Sequence, residues 1–347
     1  MQARTTIVIA VLACAVLIMP THISAQIFEK EGTFPGSVLE FVADARAVGM
    51  GGAFVAISEG PLATIWNPAG LVIQNGISVQ PVAYRDLNMP SPFDSIKPWY
   101  YTAAAAVGVD HFGFGFAYNR FDPGINGVLR SIYRDIDEVD LTETAFQFGA
   151  AFDLGGFLDQ DDRLLASFGT TTKRVDIRED IGGWEWDIGT IIGYRFAPHG
   201  VGVLPRVGVS VRNIVDGAFE RSGQSSMRLD RAALLGASVE ILPPWKNSLG
   251  SLLRVLASFQ ADSFYGDLNR KPIIRSGSEL TAFELISGRL GVRWDNDSRE
   301  RFMDFGVGLG YRRWKLGRHS LGLQFDFASV DSAARSEVYG VTASIGL

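Results

Sequence analysis

HFGFGFAYNR, the stretch from His111 to Arg120, alternates between two very different kinds of residue. Between Phe112 and Asn119, every even-numbered residue is a large aromatic one and every odd-numbered residue is small or polar. Successive side chains of a β-strand point to opposite faces of the sheet, so this pattern predicts a strand with one apolar face and one small or polar face.

The same alternation recurs beyond Asn75 in segments of about ten residues, and no sustained helical periodicity accompanies it. Charged residues fall on the face away from the aromatics, as in 184–196, 206–212, 289–295 and 304–312. A soluble β-sandwich also alternates, but here the aromatic residues lie mostly near segment ends, where a membrane barrel has its interfacial girdles. The sequence therefore predicts an all-β fold, an antiparallel transmembrane β-barrel.

The connections support that fold and bear on the number of strands. Long connections at 85–98, 122–140, 215–228 and 263–282 alternate with short ones such as Asp110 and 243–248, which is typical of outer loops and periplasmic turns. We count about thirteen strands after Asn75, whereas bacterial barrels normally have an even number. We therefore expect about 14 strands, either because one segment is hidden or because Val48 to Ile57 is itself a strand.

The two ends of the chain carry further signals. Arg4, the apolar run Ile7 to Met19 and a small-residue site before Gln26 predict a secretory signal peptide over residues 1–25. No apolar run after it is long enough for a helical membrane span. At the other end the alternation continues to Leu347, as a closing strand requires, although such barrels usually end in an aromatic residue.

Composition excludes several function classes. The single cysteine, Cys14, falls within the expected signal peptide, so disulfides and cysteine-ligated metals are not expected. A net charge of -6 without a basic block argues against nucleic acid as a partner. The three histidines beyond residue 25 are far apart, and no nucleophile motif occurs, so we predict no enzyme activity, no metal and no cofactor.

The most specific motif precedes the barrel: DARAVGMGGAF at 44–54, followed by WNPAGL at 66–71. These residues resemble the signature of PorV/PorQ-type outer-membrane proteins, which are related to the FadL-type fatty-acid channels. The resemblance implies a small N-terminal plug or hatch over residues 26–75, followed by the barrel over 76–347. It also implies a plug or gate role for these residues: Gly49, Gly51, Gly52, Trp66, Asn67 and Pro68.

The residues of this motif also have a physical interpretation of their own. Asn67 is a good helix N-cap and Pro68 suits the first helical position, so a helical turn is expected before the first strand. Gly49, Gly51 and Gly52 permit positive φ or a close backbone approach. Without the family resemblance, a glycine-rich β-hairpin is the alternative, and a dinucleotide-binding loop is excluded because no strand precedes the glycines.

Charges on the small or polar faces should line the lumen. The predicted lumen-lining residues are Arg195, Arg206, Arg212, Arg289, Arg293, Asp304 and Arg312, with Arg254, Asp187, Glu240 and Asp326 on the same side. Opposite charges so placed favour a structural network between wall and plug over a permeation role for any single arginine.

Three functions remain open for a barrel in the cell outer membrane, surrounded by outer-membrane lipid. FadL kinship implies a channel for hydrophobic or amphipathic small molecules. PorV kinship implies an accessory barrel for protein secretion, with secreted proteins or secretion machinery as partners. A purely structural protein is the third. A pocket between plug and wall would favour transport, whereas an apolar groove at the loops would favour a protein partner.

Overall fold

The computed structural model describes most of the barrel and part of the segment before it. The described residues are 33–34, 39, 44–86, 99–122, 142–159, 163–178, 181–215, 228–229, 231–244, 246–247, 250–264, 271–296, 300–316, 319–330 and 336–346. The expected signal peptide and Leu347 lie outside these residues.

Fourteen antiparallel strands form one closed barrel. Each strand pairs with its neighbours in the chain, and the last strand pairs with the first. The strands are β1 Gly76–Asp86, β2 Trp99–Val109, β3 Phe112–Asp122, β4 Glu143–Asp153, β5 Leu164–Arg178, β6 Ile181–Tyr194, β7 Gly202–Arg212, β8 Ala232–Leu242, β9 Leu253–Phe264, β10 Ile273–Ala282, β11 Ile286–Asp295, β12 Glu300–Leu316, β13 His319–Val330 and β14 Ser336–Gly346. The predicted fold class is confirmed.

The strand that the sequence pattern hides is β10. Its outward face carries Ser276 and Ser278, both exposed, where other strands carry aromatic or aliphatic residues. Because the apolar alternation is lost there, we expected a long connection over 263–282, and this expectation was wrong for residues 273–282. The glycine-rich stretch from Val48 to Ile57 is not a strand and does not supply the fourteenth.

The outside of the barrel is a belt of exposed apolar side chains. Residues that are about half exposed include Phe114, Phe148, Phe168, Trp186, Phe305, Val307, Leu309 and Phe325. A continuous apolar surface of this kind requires an apolar solvent, and a closed barrel leaves no unpaired strand edge within it. With an even number of strands, these features place the protein in a bacterial outer membrane, as predicted.

Helices make up little of the structure. No helix in the described part of the chain is both long and apolar enough to cross a membrane.

The two ends of the barrel differ in their connections. One end holds Gly76, Gly346 and tight turns such as Asp110 to His111 and 283–285. The other end holds long connections such as the 19 residues of 213–231. By the rule for outer-membrane barrels, the end with Gly76 and Gly346 faces the periplasm.

Two phenylalanines on neighbouring strands test whether this belt faces lipid. Phe148 lies in the middle of β4 and Phe112 at the periplasmic end of β3, and they are 50% and 48% exposed. Each packs against a described ring at 5.2 Å. Both variants lose a ring contact. Beyond that shared loss, we expect Phe148→Arg to lower the free energy of unfolding by about 2 to 4 kcal/mol and Phe112→Arg to lower it by at most about 1 kcal/mol. Urea unfolding in lipid vesicles measures both, and equal losses would contradict a lipid-facing belt.

Candidate functional site

Residues 44–75, which we call the plug segment, lie inside the barrel. They form α1 (Ala45–Gly49), α2 (Ala63–Trp66) and a 3-10 helix (Pro68–Val72). Residues 44–58 and 61–71 are buried with one exception, Val48, which is half-buried. This short, poorly helical stretch is ordered by the wall that surrounds it, because isolated helices of four or five residues are not stable in water.

The plug segment follows the inner wall from strand to strand. Glycines on the inward faces of successive strands contact it in turn: Gly306 and Gly291 against 49–51, Gly277 against Met50, Gly236 and Gly208 against Val55 and Ala56, Gly189 against Asn67, Gly169 against Pro68, Gly149 and Gly113 against Leu71, and Gly108 against Gln74. The segment therefore runs around the lumen from β12 to β2 and forms a collar against the wall.

These contacts explain why the inward faces are glycine-rich. A Cβ atom on Gly291 would lie 1.9 Å from the backbone nitrogen of Gly51, and one on Gly169 would lie 2.4 Å from the carbonyl carbon of Pro68. No side chain fits into such a gap. On the plug side, Gly51 and Gly52 adopt φ of 66° and 75°, which glycine tolerates without strain.

Asn67 joins the plug segment to two strands of the wall. Its Oδ1 accepts from the backbone N–H of Ala69 at 3.2 Å, as an N-cap of the 3-10 helix, with Pro68 at the first position. Its Nδ2 donates to the carbonyl oxygens of Val55 (2.9 Å), Thr190 (3.1 Å) and Val209 (3.3 Å). One side chain thus satisfies backbone groups of the plug, β6 and β7.

Trp66 is buried inside the barrel. Its ring lies 5.7 Å from the ring of Phe54, and the guanidinium carbon of Arg212 lies 5.5 Å from its ring centroid. Arg212 also donates to the carbonyl oxygen of Trp66 at 3.3 Å. Arg212 therefore holds the plug by packing against a ring and by one hydrogen bond.

Ion pairs connect strands of the wall and, among the described residues, reach the plug at Arg46. Glu279 accepts from Arg46 of the plug at 2.9 Å, from Arg254 at 3.0 Å and from Arg289 at 2.7 Å. Arg289 also binds Asp326 at 2.7 Å. Arg46 has a second carboxylate, Glu59, at 2.5 Å. Glu279 on β10 is therefore held by arginines of the plug, of β9 and of β11.

The other predicted lumen residues occupy different positions. Arg206, Arg289 and Asp304 are buried inside the barrel, and Arg206 pairs with Glu240. Arg293 is half-buried, with its guanidinium carbon 4.7 Å from the ring centroid of Phe302. Arg195 lies just past the end of β6 and is exposed. The side chain of Arg312 is outside the described part of the chain.

Sequence reasoning missed two residues that hold the plug, Gln260 and Glu279. The Oε1 of Gln260 accepts from the backbone N–H groups of both Phe54 and Val55 at 2.9 Å. Gln260 lies at an inward position of β9, and Glu279 lies on β10, the strand hidden by its serines. Large polar residues among the small inward ones are the signal that could have identified them.

A cavity of about 490 Å³ remains between the plug segment and the inner face of β1, β13 and β14. Its polar lining includes Asp44, Arg46, Glu59, Gln74, Gln80, Gln324 and Asp326, and its apolar lining includes Phe54, Pro61 and Leu323. It extends from Asp44 in mid-barrel to Asn75 and Gly346 at the periplasmic end. The cavity has the size of a small-molecule site and a lining of mixed polarity.

Asp44 is the exceptional group of this cavity. Its carboxylate caps α1, accepting from the backbone N–H groups of Arg46 (2.9 Å) and Ala47 (3.2 Å). Burial, helped by the negative charge of Asp326, raises the pKa of Asp44 from 3.8 to about 6 despite those hydrogen bonds. Burial also opposes the charge of Arg46, but Glu279 and Glu59 outweigh it and hold the pKa of Arg46 above its usual range.

Comparisons with known proteins find structural similarity at low sequence identity. No family model matches the sequence, and no curated protein matches it. Among solved structures, the toluene transporter TbuX of Ralstonia pickettii is 12% identical with a TM-score of 0.43, over 90% of this chain and 98% of that chain. The Pseudomonas putida toluene transporter TodX is 10% identical with a TM-score of 0.42, over 92% and 98%. A Pseudomonas aeruginosa FadL homologue is 12% identical with a TM-score of 0.39, over 91% and 98%. At this level the likeness decides neither the family nor the substrate of this chain.

The glycine contacts predict which substitutions displace the plug. Gly291→Ala places a methyl group against the backbone of Gly51, whereas Gly288→Ala on the same strand meets no atom within 4 Å. We expect Gly291→Ala to expose the plug segment to limited proteolysis while the barrel remains heat-modifiable on gels, because the wall keeps its own hydrogen bonds. Gly288→Ala is the matched control and should behave as wild type. Equal protease resistance of both variants would refute the contact.

The pKa of Asp44 predicts how docking of the plug depends on pH. Docking raises this pKa from 3.8 to about 6, so the docked state binds the proton more tightly than the undocked state. Stability from this group is therefore fully present below about pH 4 and falls as the pH rises to about 6. Hydrogen exchange of residues 45–54 should quicken over that range more than the intrinsic rate does. Asp44→Asn keeps the cap and should leave only the intrinsic rise in exchange rate. If the additional rise is unchanged in this variant, it does not come from Asp44.

Proposed function

We propose that the protein is a FadL-like outer-membrane channel that binds small amphipathic molecules in the cavity beside the plug segment and passes them through the lumen. The observation that supports this is the cavity itself: it lies between a wall of three strands and a segment held by separable contacts. In this proposal residues 26–75 act as the plug domain and 76–347 as the barrel, and Gly49, Gly51, Gly52, Trp66, Asn67 and Pro68 are the gate.

The difference between wall and plug supports movement of the plug alone. The wall is a closed ladder in which every strand has two partners, and opening it would break many hydrogen bonds at once. Among the described residues the plug segment forms no β-ladder with the wall, and it is held by side-chain groups such as Gln260, Asn67 and Arg46. Segments with few contacts open at lower free-energy cost than the surrounding fold.

The lining of the cavity supports an amphipathic solute. Carboxylates, amides and hydroxyls would hydrogen-bond a polar group, while Phe54, Pro61 and Leu323 offer apolar surface. A purely hydrophobic solute would displace water from this polar lining without offering hydrogen bonds in its place, which is costly. The accessory role in secretion is implied only by the resemblance of residues 44–54 and 66–71 to the PorV/PorQ signature, and no contact among the described residues favours it.

Asn67→Ala tests the gate. The change removes the cap and three donated hydrogen bonds, and we expect it to weaken docking of the 3-10 helix by about 0.5 to 2 kcal/mol or more, because buried carbonyls of two strands lose a donor. Proteoliposomes should then take up a small amphipathic solute such as 2-phenylethanol faster than wild-type ones. Heat-modifiability checks that the barrel has formed.

Asn296→Ala is the matched control, since Asn296 lies just past the end of β11, is half-buried and bonds only the carbonyl of Pro272 among the described residues. Its uptake should equal that of wild type. If Asn67→Ala and deletion of 44–70 both leave uptake unchanged in a folded barrel, the plug is not a gate. If protein-free and protein-containing liposomes take up the solute equally, the barrel is not a channel for it.

A further inference from the structure

We propose that the cavity beside the plug segment selects organic cations: small molecules that carry a protonated amine or guanidinium group on an apolar body. The inference rests on the proposed function, because it names the class of solute that the same cavity takes. It is carried by the charges that line the cavity and by the way in which they are already paired.

The cavity has more carboxylates than cations. Asp44, Glu59 and Asp326 line it, and Arg46 is the one guanidinium among its described lining residues. Arg46 is already paired, with Glu279 at 2.9 Å and with Glu59 of the cavity at 2.5 Å. Asp326 is neutralised from behind by Arg289 at 2.7 Å.

Asp44 is the carboxylate that this network leaves without a cation. It is 3% exposed and borders the cavity, and among the described residues no basic side chain forms an ion pair with it. Its hydrogen bonds come from two backbone N–H groups of its own helix. A buried carboxylate of this kind is normally paired or neutral. Burial, helped by the negative charge of Asp326, raises the pKa of Asp44 to about 6, although the charge of Arg46 acts in the opposite direction.

The charged groups on the strands packed against α1 do not fill that role. These strands are β11 to β14, and their inward charged residues near α1 are Arg289, Asp304 and Asp326. The single cation among them binds Glu279 and Asp326. Glu337, the charged residue of the described part of β14, lies on the outward side with Tyr339.

A ligand ammonium at this point would complete the arrangement. It would supply the missing positive charge to Asp44, and side-chain oxygens of Gln80, Gln324 and Ser78 line the same cavity as further acceptors. The rest of the solute would lie against Phe54, Pro61 and Leu323. An anionic solute would instead add a charge to a cavity that already has an excess of them, which opposes its entry.

Three probes with the same body separate charge from apolar contact: 2-phenylethylammonium, 2-phenylethanol and phenylacetate. Binding is measured by titration calorimetry on the full-length refolded barrel at pH 7. We expect the ammonium compound to bind at least about tenfold more tightly than the alcohol, and phenylacetate to bind most weakly. Equal binding of ammonium and alcohol, or no measurable binding of the ammonium compound, would overturn the proposal.

Asp44→Asn should reduce the preference for ammonium over alcohol to within about twofold, and Glu59→Gln should reduce it in part. Asp176→Asn is the matched control, because Asp176 pairs with Arg174 on β5, away from the cavity, and it should keep the full preference. A preference unchanged in Asp44→Asn would refute the role of this carboxylate.

The pH dependence of wild-type protein gives a test that needs no variant. The amine probe stays protonated between pH 5 and pH 7, whereas Asp44 loses its proton near pH 6, so the preference for ammonium should grow over that range. A preference that is flat or falls would count against the proposal.

Uptake measurements distinguish this inference from the proposed function. Uptake of 2-phenylethanol by proteoliposomes without any preference for ammonium would contradict this inference but not the channel function. Absence of all uptake would contradict the channel function instead.

Discussion

In a bilayer the backbone has no water to bond, so each N–H and C=O within the membrane must find a partner in the protein itself. A closed barrel meets this requirement because its last strand, β14, pairs with its first, β1. Closure then divides the side chains strictly into those that meet lipid and those that meet the lumen. The apolar belt outside and the glycines inside are two consequences of the same closed ladder.

The lumen poses the opposite problem, because a barrel of fourteen strands is too wide to be filled by its own inward side chains. Many inward side chains here are small, and the plug segment fills the space that they leave, with its backbone directly against the wall. Gly291 approaches Gly51 so closely that neither strand nor plug could accept a side chain there. Small inward residues and a glycine-rich plug are therefore two halves of one packing arrangement, and each explains the composition of the other.

Much of this fold could be predicted from alternation alone, since lipid imposes the pattern on every residue of the outer face. The pattern fails at β10, where Ser276 and Ser278 replace apolar residues. The cap by Asn67 and the positive φ of Gly51 and Gly52 were also predictable, because they are local. What the sequence could not show is which strand the plug meets at each step. Gln260 and Glu279 act across more than 200 residues, and their roles depend on register that only closure sets.

The distribution of charge inside the barrel follows from the cost of burying it. A carboxylate deep in the lumen is tolerable when arginines surround it, as they do Glu279, and removing one partner of such a group would leave a buried charge uncompensated. Asp44 lies within the same lumen and lacks a basic partner among the described residues, although an arginine two positions later could have been directed towards it. Arg46 points instead to Glu279 and Glu59, so the single cation of the helix that Asp44 caps helps to hold the plug in place. A fold selected for stability alone would have an asparagine at this cap, because asparagine caps as well and carries no charge. The carboxylate of Asp44 instead faces a cavity, where a bound cation would offset the cost of burying its charge.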